Sequence, residues 1–197
     1  MVTGQDPPPR RQINDPRQLR ALAHPLRLAV LQYLMAVGPR TASECAVEVG
    51  STASNISWHL RHLAGHGLVE PVEPSDGRER PWRAAQVGLD FGAMSTDPVV
   101  MPEQDALIAA SMAEESQLTR RFLDHRDKID PRWLDTARLD GYVLRATPQE
   151  MDELAERLNA LLRPYLATVR DDPPEDATLT YVGLRLFPRL NAAGRTE

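Results

Sequence analysis

Closely spaced helix breakers divide the first third of the chain into short helical segments. His24-Pro25, Gly38-Pro39 and Gly50 each interrupt an apolar pattern of helical spacing, and Gly65-His66-Gly67 ends the last one. Proline at a first turn and glycine just beyond a last turn are ordinary helix boundaries. The pattern therefore predicts short helices joined by tight turns.

The start of each predicted helix carries a recognisable cap. Asp15-Pro16 combines an N-cap with proline at the first helical position, and Pro25 can start a second helix. Thr41-Ala-Ser-Glu44 fits the capping box of a third helix that runs to about Val49. Ser51 or Thr52 caps a fourth helix, whose apolar residues lie on one side.

A basic hairpin is predicted directly after the fourth helix. Residues 68–85 suggest two short extended segments around the turn sequence Ser75-Asp76-Gly77. Pro71 and Pro74 indicate that the first arm is short or lies at a sheet edge. Short helices, small polar residues at the start of the last one and a basic hairpin together predict a winged helix-turn-helix.

The second half of the chain has a different pattern. A long helix is predicted from Pro102 to about Lys128, and a second helix from Pro148 to Val169, started by the capping box Thr147-Pro148-Gln149-Glu150. The segments ARLDGYVLRA and TLTYVGLRLF, residues 137–146 and 178–187, are predicted strands. The expected fold class is α+β and mainly helical, with a strand-helix-strand region after the long helix.

Charge and motif content divide the chain further. Residues 1–85 have a net charge of +2 and residues 86–197 one of −7, so a mildly basic module is joined to an acidic one. The expected organisation is a disordered arm at 1–14, a DNA-binding domain at 15–86, a linker at 87–101, a dimerisation and effector-binding domain at 102–189, and a tail at 190–197.

Composition excludes several classes of protein. Cys45 is the only cysteine, so neither an internal disulfide nor a cysteine-rich zinc site can form, and a reducing cytoplasm is expected. The sequence contains no apolar run long enough to cross a membrane and no secretion signal. It also lacks a phosphate-binding glycine loop, a nucleophile motif and a metal-ligand cluster. We therefore expect a bacterial cytoplasmic protein that is not an enzyme and uses no cofactor or metal.

The fourth helix supplies the side chains that reading DNA requires. Short donors and acceptors at its first turns let the backbone approach base edges, and longer cationic residues behind them reach phosphates. The hairpin arginines are placed to follow a phosphate backbone or enter the minor groove. The predicted DNA-binding residues are Thr52, Ser54, Asn55, Ser57, Trp58, His59, Arg61, His62, Arg78, Arg80 and Arg83. The alternative for the helix is that its Ser and Asn residues are caps and its arginine is merely solvated.

Several spaced motifs resemble one family. LAHPLRLAVLQYL, TASECAVEVGSTASNISWHLRHLAGHGLVE and DGRERPWRA are similar to ArsR-type winged helix-turn-helix transcription regulators of bacteria. The resemblance covers roughly residues 15–86. It rests on His24-Pro25-Leu26-Arg27, Ser57-x-His59-Leu60-x-x-Leu63, Gly67-Leu68-Val69 and Gly77-Arg78. It implies a repressor that binds a palindromic double-stranded DNA operator as a homodimer and is released by a small-molecule effector.

The departures from this family argue against metal sensing. Metal-sensing members carry a Cys-x-Cys pair before the turn or His and Asp ligands on a C-terminal helix, whereas this chain offers Cys45 alone and His125 alone. His59, His62 and His66 at helical spacing are a weaker alternative metal site. Cys45 is either a redox switch or, as its apolar spacing favours, a buried small residue.

Two questions stay open at the level of sequence. An effector pocket in the second half would be lined by aromatic residues and a methionine, although such residues at regular spacing are also typical of a core. The candidates are Met112, Phe122, Trp133, Tyr142, Tyr165 and Phe187. The alternative function is a winged-helix module that binds protein and not DNA.

Overall fold

The structure is a computed structural model that describes residues 11–73, 80–86, 88–167, 170 and 172–196. Helices dominate it, which confirms the mainly helical fold with an N-terminal helix-turn-helix. The strands are β1 (Arg11–Gln12), β2 (Val69–Pro71), β3 (Trp82–Ala84) and β4 (Leu89–Asp90). The α-helices are α1 (Pro16–Leu22), α2 (Pro25–Val37), α3 (Ala42–Val49), α4 (Ala53–Gly65), α5 (Met101–Asp124), α6 (Pro131–Thr136) and α7 (Pro148–Leu162).

The predicted caps of the N-terminal helices are confirmed. The Asp15 carboxylate accepts a hydrogen bond from the backbone N–H of Arg17 over 2.9 Å, at the start of α1. Thr41 and Glu44 form the reciprocal capping box of α3. Gly50, with a φ of 65°, ends α3 in the left-handed conformation that glycine adopts without strain. These local interactions fix the α3-turn-α4 unit.

One apolar core unites the N-terminal helices. Most of its fully buried members come from α1, α2, α4 and the segment after α4. Each buried leucine or isoleucine contributes about 1.5–3 kcal/mol to folding. They include Leu19, Leu22, Leu31, Leu34, Ile56, Leu60, Leu63 and Leu68. Because α4 contributes three of these residues, its orientation in the domain is fixed by packing.

The predicted wing is present as a short sheet. β2 and β3 pair antiparallel, with Glu70 opposite Arg83. Arg40, just before α3, adds a bridge to β3 through hydrogen bonds of 3.0 and 2.7 Å with the backbone of Trp82. β2 therefore lies at the edge, as its proline predicted. The predicted turn, Ser75 to Gly77, lies outside the described residues.

The segment before α1 differs from the prediction. Disorder was expected for residues 1–14, but Arg11–Gln12 pair in parallel with Leu89–Asp90. The Ile13 side chain is 1% exposed and belongs to the core. The prediction is wrong for residues 11–14 because the pairing partner lies nearly 80 positions away, in what was predicted to be a linker. Residues 1–10 lie outside the described part of the chain.

Helix α5 also departs from the expected domain boundary at residue 102. Its buried residues are Gln104, Leu107, Ala110 and Glu114, and Leu107 is part of the same core as α1, α2 and α4. An ion pair between Arg20 and Glu103 joins α1 to the first turn of α5. Most of α5 therefore packs on the helix-turn-helix and does not begin a separate domain.

A buried glutamine attaches the preceding segment to α5. Gln104 donates through Nε2 to the carbonyl oxygens of Phe91 and Ala93, over 3.1 and 3.0 Å. Its Oε1 accepts from the backbone N–H of Ser95 over 2.8 Å. All the polar groups of this side chain are thus used, so its burial is compensated. The predicted linker is ordered over this stretch.

The region after α5 is less packed than predicted. The Thr147–Glu150 capping box starts α7 as expected, but the helix ends at Leu162 and not at Val169. Pro164 explains the early end, because proline lacks a backbone N–H and clashes with the preceding turn. Helix α6 was not predicted.

The two strands predicted in the second half do not form. Residues 137–146 and 178–187 have no regular secondary structure, and among the described residues neither segment pairs in a sheet. An ion pair between Arg185 and Glu115 brings the second segment against α5. Within the described chain, no helix has both the length and the apolar character needed to cross a membrane.

Candidate nucleic-acid interface

Helix α4 presents a polar face away from the core. Ile56, Leu60 and Leu63 are buried, so the residues between them in the helical repeat point outward. Of the predicted DNA-binding residues, Thr52, Ser54, Asn55, Trp58 and Arg61 are exposed, and Ser57 and His62 are partly exposed. Packing of one side of α4 thus produces a surface with short polar groups at the start of the helix and a cation beyond them.

The first turn of α4 is internally organised. Thr52 Oγ1 accepts a hydrogen bond from the backbone N–H of Asn55 over 3.3 Å and so caps the helix. Asn55 Nδ2 donates to Ser51 Oγ over 3.0 Å, which restrains the amide while the group stays exposed. The sequence indicated Ser51 as a cap and as one of the short polar groups at the start of the helix, but not as a partner of Asn55, although their four-residue spacing is compatible with this contact.

Aromatic rings continue along the exposed side of α4. The Trp58 indole is 53% exposed and stacks on the His62 ring, with centroids 5.6 Å apart and planes 15° apart. His66 follows one turn later, with its ring centroid 5.1 Å from that of His62. The stacking restrains the indole, so an exposed aromatic ring of fixed orientation lies beside the polar first turns of α4.

His59 is not on this surface. Its side chain is 4% exposed, and its ring lies 4.9 Å from the His24 ring in the interior. Burial, with smaller contributions from His24 and Arg27, lowers its pKa to about 4, so the imidazole is neutral at pH 7. The prediction that His59 contacts DNA is therefore wrong. The polarity of histidine suggested an exposed position, whereas the side-chain spacing allowed either face.

His24 links this buried imidazole to α2. Its Nδ1 accepts a hydrogen bond from the backbone N–H of Leu26 over 3.2 Å, so it caps α2 through a neutral ring. Burial, assisted by Arg27, lowers the pKa of His24. The two histidines thus connect the start of α2 to the middle of α4.

The wing arginines have acidic partners. Arg80 Nη2 lies 3.2 Å from Glu73 Oε1, and Arg83 Nε donates to Glu70 Oε1 over 2.6 Å. Both pairs are exposed, and exposed pairs of this kind contribute little to stability, so another anion can replace the carboxylate. The sequence analysis did not consider these glutamates, although the hairpin register places Glu70 opposite Arg83. Arg78 lies outside the described residues.

No metal site is evident in the described part of the chain, where no three His, Cys, Asp or Glu side chains are grouped to hold an ion. Cys45 is fully buried, and burial raises the pKa of its thiol to about 11. It therefore packs as a small apolar residue, as its spacing favoured.

The residues predicted to line an effector pocket lie at the surface of the described chain. Met112, Trp133, Tyr142, Tyr165 and Phe187 are exposed and Phe122 is partly exposed. A cleft between α2, α3 and α5 has none of them in its lining. Tyr142 and Phe187 lie in the two C-terminal segments that were predicted to be strands, which do not pair in a sheet within the described chain.

Comparison with known protein families assigns the part of the chain that includes α4 to a helix-turn-helix domain. A family model described as a helix-turn-helix domain matches residues 22–72. A domain of this class, with the polar face of α4 outward, indicates a DNA-binding regulator of transcription. The match includes α2, α3, α4 and β2, while α5 and all later elements lie outside it. No curated protein is similar enough in sequence to match the chain.

Proposed function

We propose that the protein is an ArsR-type winged helix-turn-helix repressor. It binds a palindromic operator as a homodimer, and a small-molecule effector releases it. The observation that carries DNA binding is the face of α4, where Thr52, Ser54 and Asn55 are exposed on a helix anchored from behind by Ile56 and Leu60. Short polar side chains at the start of a rigid helix are suited to base edges in the major groove.

Phosphate contacts would complete the interface. Arg61 is exposed two turns after Asn55 and has no ion-pair partner within the described chain. Arg80 and Arg83 are positioned on the wing, where a phosphate would compete with Glu73 and Glu70 for the guanidinium groups. The acidic second half would be repelled by DNA, which favours approach through the N-terminal half.

Helix α7 has an apolar face that the single chain does not bury, which supports the proposed dimer. This helix has the most regular apolar stripe in the chain, but none of its residues is buried. Met151, Leu154, Leu158 and Leu162 are only partly covered. A stripe of this kind normally faces a core. A second copy of the chain supplies the missing surface in our proposal.

The exposed apolar residues of segments 137–146 and 178–187, which do not pair in a sheet within the described chain, support the same partner. Tyr142 and Val143 are 80% and 79% exposed, and Leu179, Val182 and Phe187 are also exposed in the second segment. Apolar segments with a predicted strand pattern and no sheet partner are suited to pairing with another chain. A two-fold dimer formed there would hold two α4 helices at a fixed separation, as the two halves of a palindrome require.

A protein-binding module is the second candidate. Two observations favour it: the Trp58 indole is exposed, and both described wing arginines are paired with glutamates, which makes the surface less basic than one dedicated to DNA. Aromatic anchors are enriched in protein interfaces.

Salt dependence separates the two functions. Fluorescence anisotropy of the full chain with labelled duplex DNA should show an affinity that falls steeply with salt, because each neutralised phosphate releases counterions. The slope of log K against log salt should be about −4 or more negative if a dimer uses two or more cations from each copy. Duplex binding that is absent, or independent of salt, would leave the protein-binding function.

A further inference from the structure

A cleft lies where α5 crosses the helix-turn-helix. It has a volume of about 200 Å³ and is bounded by α2, the end of α3 and one face of α5. Leu26, Ala29 and Val49 form an apolar side, and Glu114 and Arg121 lie on the side of α5. The cleft is distinct from the α4 surface and from the aromatic residues predicted to bind an effector.

Glu114 is the unusual residue of this cleft. Its side chain is 5% exposed, and among the described residues no donor lies within hydrogen-bond or ion-pair distance of its carboxylate. Burial raises the pKa of Glu114, which Arg121 partly offsets. The adjacent Glu115 instead lies against the guanidinium group of Arg185. A buried carboxyl group without a partner is costly and would be stabilised by a cation.

We propose that this cleft binds a small organic amine. The ammonium group pairs with the Glu114 carboxylate, and a compact apolar body packs against Leu26, Ala29 and Val49. The volume limits the size of the ligand, since an apolar cavity of roughly 150 Å³ holds a benzene ring. The ligand class is therefore a primary amine on one ring or a short branched chain.

Two contacts connect the cleft to α4, the recognition helix of the proposed function. Arg121 Nη1 donates to the backbone carbonyl of Glu48 over 3.3 Å, at the end of α3 just before the turn into α4. His24 also lines the cleft, and its ring is adjacent to that of His59 in α4. Occupation of the cleft would shift these two groups and hence α4. This regulatory consequence rests on the proposed DNA binding, whereas the ligand site does not.

Calorimetry on the full chain tests the site with benzylamine as the probe and benzyl alcohol as its neutral analogue. We expect one benzylamine per chain and at least tenfold weaker binding of the alcohol. Glu114→Gln should weaken benzylamine at least tenfold, while Asp105→Asn, an exposed acid on the same helix, should have no effect. Ala29→Leu, which fills the apolar side, should weaken both probes. Loss of binding in Ala29→Leu alone, with Glu114→Gln unchanged, would contradict the ion pair.

Phenylacetate, an anion with the same ring as benzylamine, tests whether the cleft prefers a cationic ligand. Binding of phenylacetate more tightly than benzylamine would show that Arg121 selects an acid and would overturn the proposal, as would the absence of saturable benzylamine binding.

The indole N–H resonance of Trp58, assigned with Trp58→Phe, reports on α4 without DNA. It should shift on benzylamine saturation, and an unchanged resonance would overturn the link to α4. Failure of operator binding alone would contradict the proposed function and leave the amine site intact.

Discussion

The side-chain amide of Asn55 donates to the hydroxyl of Ser51 over 3.0 Å, across the first turn of α4. The contact holds an exposed amide in one orientation before any DNA is present. An oriented amide loses less conformational freedom when it binds a base edge. Ser51 therefore acts as a positioning residue for Asn55 in the proposed interface.

Substitution of Asn55 should weaken and relax DNA recognition. Asn55→Ala should cost about 1–3 kcal/mol in affinity for the selected operator and remove preference at one base position per half-site. Ser51→Ala should cost less and keep the same preference, because the amide remains. Binding and base preference can be measured by anisotropy with single-base operator variants. An unchanged preference in Asn55→Ala would remove this residue from the reading surface.

The wing should contribute affinity without sequence preference. Arg83→Gln should weaken binding to all duplexes similarly and lower the salt slope by about one unit per affected phosphate. Glu70→Gln should strengthen binding, because it removes the carboxylate that competes for Arg83. Arg138→Gln, in the second half, is the matched control and should change neither. A base-specific effect of Arg83→Gln would contradict a phosphate contact.

The second half should assemble two copies. Light scattering of the full chain at micromolar concentration should give the dimer mass. Val143→Asp should dissociate it, since burying an uncompensated carboxylate costs about 3 kcal/mol or more. Val47→Asp is a suitable control because Val47 is also highly exposed but lies on α3. A monomeric wild type, or a Val143→Asp protein that remains dimeric, would refute this arrangement.

Stability should fall in mild acid because of His59. Its pKa is about 4 in the folded chain and about 6.5 when unfolded. At pH values between these two, the unfolded chain binds more protons than the folded chain, so the free energy of unfolding rises with pH. The stability contributed by the neutral His59 is therefore lost as the pH falls from 6.5 toward 4. We expect a decrease of about 2–3 kcal/mol between pH 6.5 and pH 4.

Urea unfolding at a series of pH values measures this effect. His59→Gln should flatten the dependence on pH, whereas His125→Gln, on an exposed residue after α5, should leave it unchanged. Equal slopes for wild type and His59→Gln would contradict the role given to the buried imidazole. His24 adds to the effect in the same direction, because its lowered pKa reflects burial and a cap that requires the neutral ring.

Cys45 should be unreactive in the folded protein. The thiol is fully buried and its pKa is about 11, so the thiolate population near pH 8 is very small. A colourimetric thiol reagent should modify no cysteine in native buffer and one per chain in guanidinium. Rapid modification of the native chain would restore a redox role for this residue.

Local features of the fold could be predicted because their causes are local. The caps at Asp15, Thr41 and Thr147 and the wing strands depend on residues a few positions apart. The pairing of Arg11–Gln12 with Leu89–Asp90 could not be predicted, because two-residue strands carry almost no periodicity and the partners are distant.

The candidate site shows the same division. The exposed positions of Thr52, Ser54 and Asn55 followed from the apolar stripe of α4, whereas the inward direction of His59 required its packing on His24. Nothing in the sequence around Glu114 marks it as a buried acid. Its burial arises only because α5 crosses α2, a contact between elements nearly 80 residues apart.

Selection from a random pool of duplex DNA tests the central claim most directly. The full-length protein should enrich two inverted half-sites whose centres are separated by one helical turn, about 10 bp, or a multiple of it. Such a consensus would establish sequence-specific binding and two-fold symmetry together. A pool without an enriched sequence would contradict the assignment of α4 as a recognition helix, and a single asymmetric site would contradict the homodimeric repressor.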